Sequence, residues 1–454
     1  MFTTVNPATG KNIRSYSTLS DQDIDEQLQA QAKAQKEWAL ATYERRAEYL
    51  RKMAENLREN AEDCGALMTE EMGKPLAQGI SEAEKCAWVC DYYADNGADF
   101  LADEVIETDA RTSYVTQNPL GVVLAIMPWN FPFWQLFRFG APALMAGNAV
   151  ALKHAPNVCG CAEAIEQLMK DVGLPEHLFK NYVVEIEQVK GMIAHDAVRA
   201  VTLTGSTRAG RAVASQAGAH LKKTVLELGG SDPYIIMDDA DLELAAEKCV
   251  TSRLINSGQS CIAAKRFIVT GKNAEKFTEL VHDLMISKSV GDPTEEITEI
   301  GPMARADLRD ELHEQVEHSI EAGAKRLLGG SIPDKEGFYY PTTILTNVEP
   351  GMPAFDEELF GPVASIITAD DEDHALELAN QSAYGLGAAI FTQDLDRGEV
   401  LAAQYLEAGC CFVNDFVRSD PRLPFGGVKD SGYGRELSHH GIKEFVNTKT
   451  VYIA

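Results

Sequence analysis

The chain has 454 residues, with 41 Lys and Arg against 69 Asp and Glu, a formal net charge of −28 and a hydrophobic content of 45%. Acidity on this scale disfavours nucleic acid and anionic lipid as partners, while the apolar content suffices for large buried cores in roughly three folding units. No apolar run approaches a membrane span, the opening Met1-Phe-Thr-Thr-Val-Asn6 carries neither a basic nor an apolar leader, and the nine cysteines form no tandem Cys-x-x-Cys framework; a cytoplasmic protein with reduced thiols and no structural metal site is expected.

In chain order, residues 20–60 and 61–102 read as amphipathic helices, with Ile24, Leu28, Ala32 and Trp38 on one apolar face. Residues 121–127 form an apolar strand ending at the turn Pro128-Trp-Asn130-Phe-Pro132, and residues 149–152 form a second ending at Lys153. A lysine there could meet a ribose or a phosphate, or simply be solvated. Residues 197–203 read as a third strand, and Thr204-Gly-Ser-Thr-Arg-Ala-Gly210 leads into a helical pattern at 211–221, with Ser206 or Thr207 as N-cap. A helix N-terminus at that point suits a pyrophosphate. The spacing Gly-x-x-x-x-Gly is neither the dinucleotide fingerprint nor a P-loop, so this turn by itself is a weak sign. Strands alternate with helices over 122–227, and again over 240–427 with strands at 267–270, 340–345 and 388–391. This pattern predicts two α/β units with parallel sheets and Glu227 near their junction. There is no internal repeat, low-complexity tract or long linker.

Three Gly- or Pro-rich turns carry a thiol, a carboxylate and a carboxamide: Asn256-Ser-Gly-Gln-Ser-Cys261, Leu226-Glu227-Leu-Gly-Gly230 and the Asn130 turn. Each residue alone has an ordinary explanation, the cysteine as a small buried hydrophobe, the Glu and Asn as turn chemistry. Together they supply what acyl chemistry on an aldehyde requires. Cys261 is a candidate nucleophile, but a free thiol with a pKa of about 8.5 needs a base or positive potential to ionise at neutral pH. Glu227 is the candidate base, and the Asn130 amide can donate to the oxyanion formed on attack.

From Asn6-Pro-Ala-Thr-Gly10 to the carboxyl terminus the sequence resembles the aldehyde dehydrogenase superfamily. The motifs Pro128-Trp-Asn-Phe-Pro132, Leu203-Thr-Gly-Ser206, Leu226-Glu-Leu-Gly-Gly230, Gly258-Gln-Ser-Cys261, Glu357-Glu-Leu-Phe-Gly-Pro362 and Pro424-Phe-Gly-Gly-Val-Lys429 recur in that family's order and spacing. The resemblance implies two Rossmann-like parallel-sheet domains plus a β oligomerisation arm. It implies a cofactor-binding domain at 1–106 and 122–229, a catalytic domain at 230–430, and an arm at 107–121 and 436–454 that joins subunits into a homodimer or homotetramer. It makes Cys261 the nucleophile, Glu227 the general base and Asn130 the oxyanion donor. NADP or NAD would lie along Ile126, Pro128, Trp129, Lys153, Thr204, Gly205, Ser206 and Leu228, with Glu358 and Phe360 at the nicotinamide end. Cys261 would attack the aldehyde, hydride would pass to the nicotinamide, and Glu227 would activate the water that hydrolyses the thioester. Relatives that pass the acyl group to coenzyme A lack this glutamate, so a free carboxylic acid is the implied product. A cofactor-independent hydrolase would not need Glu358 and Phe360, and a silent relative would not need Cys261.

Within the family the sequence is most similar to bacterial succinate-semialdehyde dehydrogenases. Arg138, eight residues beyond Asn130, stands where those members carry an arginine for the remote carboxylate, and Ser419 resembles their second contact. Trp134 and Phe425 would complete that substrate site. The second arginine of some members is Ile255 here, and Arg138 could instead pair with a neighbouring acid. The runner-up is therefore a broad-specificity enzyme for uncharged or aromatic aldehydes. Pro156 stands where strict NAD users often place an acid, which admits NADP. Ala263 replaces a cysteine that gates some relatives by a disulfide, so no such switch is expected.

Overall fold

The computed structural model describes residues 1–454. A six-stranded sheet runs in the order Gly432–Tyr433, Lys223–Glu227, Val198–Thr204, Val122–Ile126, Ala149–Lys153 and Phe179–Asn181, parallel except for the first strand. A seven-stranded sheet runs Lys325–Leu328, Thr343–Thr346, Val363–Ala369, Ala264–Thr270, Asp232–Ile236, Gly387–Phe391 and Cys410–Val413, again parallel except for its first strand. Strands 232–236 and 264–270 are buried throughout, as expected of parallel strands covered on both faces. In the first sheet the chain order reverses between Val122–Ile126 and Val198–Thr204. Ligands of open α/β sheets bind in the crevice beyond the carboxyl ends at such a point, where Pro128 and Thr204 lie.

Each long amphipathic stretch divides into two helices. Residues 20–60 contain Asp21–Trp38, opened by a Ser20–Asp23 capping box, and Tyr43–Glu59, started afresh by the Thr42 hydroxyl, which accepts from Arg45 N. Trp38 ends the first by donating from Nε1 to Leu144 O at 2.9 Å. Residues 61–102 contain Ala61–Met72 and Leu76–Phe100. Gly73 at φ 76° and Pro75 separate them, the one favouring the left-handed cap and the other unable to continue a helix. The helix expected at 211–221 is Thr207–Ala219, because Ser206 rather than Thr207 caps it, accepting from Ala209 N at 3.3 Å. The strand expected at 340–345 starts only at Thr343.

Helix Trp134–Ala146 is buried along its whole length between the first sheet and the helices Tyr43–Glu59 and Leu76–Phe100. This makes it a rigid carrier for any side chain it aims at the crevice. Strands Thr112–Pro119 and Val446–Ile453 pair antiparallel over eight residues, with Glu104–Val105 on the far side. Residues 104–105 thus join the arm rather than the first unit. Conversely, residues 436–445 do not belong to the arm: Leu437, Ile442 and Phe445 are buried in the first core, and Tyr93 donates to Ser438 O at 3.0 Å. No helix is long and apolar enough to cross a membrane. All nine cysteines are free.

Candidate active site

Cys261 follows a stretch of backbone held in the left-handed region, Asn256 at φ 55°, Ser257 at 54° and Gly258 at 77°. For the two non-glycine residues such a conformation costs about 1–3 kcal/mol each, and persists only when the surroundings over-determine it. They do. Asn256 Nδ2 donates to Asn130 O at 2.7 Å and to Gln259 O at 3.1 Å, Ser257 Oγ accepts from Gly301 N at 2.9 Å, and buried Arg253 donates to Gly258 O. Lys265 Nζ donates to Ser260 O at 2.9 Å and Cys261 O at 2.7 Å. Gly258 is obligatory, since a Cβ there would stand 2.3 Å from Gly361 O. Asn130 Nδ2 donates to Gln259 O at 3.1 Å, which fixes the amide beside the cysteine loop and leaves its second N–H free for a ligand oxygen.

Two cavities meet at Cys261. One, of about 250 Å³, opens at the sheet's switch point and is lined by Pro128, Trp129, Asn130, Thr204, Gly205 and Ser206, with Leu228, Glu358 and Phe360 on its other walls. Trp129 and Phe360 stand edge to face at 5.7 Å. Glu358 accepts from Gly230 N at 3.1 Å and lies 3.5 Å from Lys265 Nζ, with burial raising its carboxyl above the usual range. A helix N-terminus for a diphosphate, an anchored carboxylate for ribose hydroxyls and an aromatic wall for a planar ring make this donor set fit a nicotinamide dinucleotide. Ile126 and Lys153 do not line the cavity. Both sit at the carboxyl end of neighbouring strands, paired in register, and burial pushes the Lys153 ammonium down. The helix Ala306–Glu321 adds Leu308, Leu312 and Gln315 to the rim, which nothing in the sequence signals.

The second cavity, of about 280 Å³, runs from Cys261 past Trp134, Arg138, Ser419 and Phe425. All four residues expected at the substrate site therefore share one tunnel. Arg138 is buried, forms an ion pair with Glu436, reaches Thr204 Oγ1 at 3.4 Å and stacks 4.6 Å over the Phe425 ring. Sequence reasoning missed Glu436, which sits far along the chain on an isolated bridge to Phe425, without a motif of its own.

The chain matches the aldehyde dehydrogenase family model over residues 1–451. It is 48% identical over 448 residues to an Escherichia coli succinate semialdehyde dehydrogenase described as NAD(P)-dependent, covering 99% of this chain and 97% of that one. It is 44% identical over 457 residues to a Mycobacterium tuberculosis succinate-semialdehyde dehydrogenase described as NADP-dependent, covering 99% of each. The fold superposes with a TM-score of 0.97 at 36% identity, over 100% of both chains, on the succinic semialdehyde dehydrogenase of Streptococcus pyogenes crystallised with NADP. The chain belongs to the aldehyde dehydrogenase family.

In this aldehyde dehydrogenase the electrostatics set apart Cys261 and Glu227, two of the three residues expected to carry the chemistry. Burial pushes the Cys261 thiol up to about 12, opposed by the cations Arg138 and Lys265. The sequence motif alone suggests an open, small-residue turn; the structure shows a half-covered sulfur that must be ionised within the site. Glu227, the last residue of its strand, is buried with neither carboxylate oxygen hydrogen-bonded. Its carboxyl is held well above the usual range, first by burial and then by Glu436, against the pull of Arg138 and Arg435. It lines neither cavity, although the next residues, Leu228 and Gly229, do. The structure thus brings Cys261 and Asn130 together and leaves the Glu227 side chain packed over Gly426. No group of three or more His, Cys, Asp or Glu side chains converges as a metal site.

Proposed function

We propose that this enzyme oxidises succinate semialdehyde to succinate through a thioester on Cys261, with NADP or NAD as electron acceptor. The observation that carries this reading is the tunnel of Arg138, Ser419 and aromatic walls that ends at the sulfur. The names of the full-length relatives point to the same substrate and cofactors.

Cys261 gives its proton to water, its thiolate favoured by Arg138 and Lys265, and attacks the carbonyl carbon; the new oxyanion accepts from the free N–H of Asn130 and from the Cys261 backbone. Each such donor is worth about a hundred- to a thousand-fold in rate. A bound nicotinamide dinucleotide supplies the two-electron acceptor that turns the hemithioacetal into a thioester. Glu358 would hold it through the ribose hydroxyls, and Trp129 and Phe360 would wall the site from water. Glu227, once it has given up its proton, turns from its place over Gly426 toward the thioester and takes a proton from a water whose oxygen adds to the acyl carbon; collapse of that adduct breaks the C–S bond to give the acid and the free thiolate. Burial holds a proton on Glu227 in its resting place, and that proton passes to solvent as the carboxylate moves out.

A second reading has support of its own. Because Glu436 already balances Arg138, the tunnel could serve uncharged aldehydes on Phe131, Trp134, Phe416 and Phe425. Reduced-cofactor formation with succinate semialdehyde, glutarate semialdehyde, butanal and benzaldehyde, each with NAD and NADP, decides between them. Succinate semialdehyde is expected to give the highest kcat/KM, with NADP accepted; equal rates with butanal or benzaldehyde would make this a general aldehyde dehydrogenase. The strand arm supports a homo-oligomer as the working form.

A further inference from the structure

The tunnel contains a cation that the steps above do not use. Helix Leu76–Phe100 lines it with Gln78, Ser81, Glu82 and Lys85, spaced as one helical face. The Lys85 ammonium donates to Ser419 Oγ at 2.8 Å and stands 4.3 Å from the centre of the Trp134 ring. The neighbouring charges are otherwise engaged. Glu82 pairs with Lys74 and accepts from the backbone N–H groups of Phe133 and Trp134 at 3.0 and 2.9 Å. Asp420 is held by Arg422 at 2.6 Å, Arg418 by Asp415 at 2.6 Å, and Arg138 by Glu436. Lys85 forms no ion pair. Of the three donors an ammonium carries, Ser419 takes one and two remain for a ligand.

We propose that Lys85 is a carboxylate-binding residue of the tunnel: its ammonium, with Ser419 Oγ beside it, takes the remote carboxylate of a short semialdehyde and sets the preference for anionic over uncharged aldehydes. This rests on the succinate-semialdehyde reading. A partly buried cation without a counter-charge is unfavourable until an anion arrives, and against an overall charge of −28 the anion needs such a local source of attraction. Arg138 is neutralised by Glu436, so Lys85 supplies the tunnel's uncompensated charge. Burial, and then the Arg138 guanidinium, push the ammonium down to about 8, with Glu82, Cys86 and Asp420 pulling the other way. Arg138 and Trp134 face it from helix Trp134–Ala146, Ser419 and Asp420 from the loop, and Glu82 and Cys86 from its own helix. Lys85 is therefore charged at pH 7 and loses its charge as pH rises through about 8.

The test is the KM for succinate semialdehyde and for butanal in the wild type, Lys85→Met and Lys85→Arg, together with competitive inhibition of butanal oxidation by succinate. Lys85→Met is expected to raise the KM for succinate semialdehyde about ten- to a hundred-fold relative to that for butanal, and to weaken succinate inhibition similarly. Lys85→Arg restores most of both. In the wild type the preference for the anion falls between pH 7 and 9, and in Lys85→Met it is flat. If Lys85→Met changes both substrates alike, or leaves succinate inhibition intact, Lys85 is structural and the proposal falls. If the wild type shows no preference for succinate semialdehyde yet succinate inhibition still depends on Lys85, the anion site stands and the substrate reading falls.

Discussion

At the scale of single residues, the chemistry depends on groups held away from their ordinary ionisation. Cys261 and Glu227 are both disfavoured as anions by burial, and Glu227 lines neither of the cavities that meet at Cys261. On the proposed mechanism Glu227 acts in the second half of the reaction, after the thioester has formed. Glu227→Gln is expected to retain a first burst of about one reduced cofactor per active site, while steady-state kcat falls about a hundred- to ten-thousand-fold. Rapid-mixing absorbance would show the burst; its loss would place Glu227 in the first step instead. The sign of the pH effect follows from the raised carboxyl. Glu227 is protonated at pH values where an ordinary glutamate is ionised, so a deacylation-limited kcat climbs as pH rises, and Glu227→Gln removes that limb.

At the scale of elements, helix Trp134–Ala146 carries Arg138 into the tunnel from a fully buried base, and Glu436 meets it from an isolated bridge just before helix Ser438–Ile442. Breaking a buried pair leaves one charge without a partner, so Arg138→Met alone should destabilise the protein by about 3–5 kcal/mol, whereas Arg138→Met with Glu436→Gln should recover most of that loss. Denaturant unfolding of the single and double variants tests this. A single variant as stable as the wild type would show that the pair contributes nothing. The same pair complicates any reading of Arg138 by truncation, because a drop in activity then mixes lost substrate contact with an unbalanced Glu436. The double variant separates the two.

At the scale of the whole molecule, the strand Val446–Ile453 lies at one edge of a three-stranded sheet, with Tyr452 and Ile453 exposed, and Glu104–Val105 lies at the other, with Val105 and Ile106 exposed. An apolar sheet edge left open invites pairing with another chain. The proposed homo-oligomer predicts monomers once residues 447–454 are removed, with Val446, which is buried in the first core, kept so that the fold survives. Light scattering coupled to size exclusion would read the mass; an unchanged oligomer would move the interface elsewhere.

Much of the site is legible in the sequence because local chemistry determines it. Gly258 before Cys261, Ser206 at a helix start and Asn130 between prolines each satisfy a backbone requirement that only a few residue types meet. The two α/β units are legible for the same reason, since strand and helix periodicities differ along the chain. The long helices were harder: the Thr42 cap and the Gly73/Pro75 break are local signals, but an apolar face that continues across them masks the interruption. What only the tertiary structure decided is which charges meet. Lys85 and Ser419 are 334 positions apart, and no sequence pattern encodes their 2.8 Å contact. Nor does any pattern show that Glu436 balances Arg138, or that Glu227 is buried between Glu436 and two arginines, outside both cavities. Burial and pairing are properties of three-dimensional neighbours, and they decide the ionisation on which this aldehyde dehydrogenase depends.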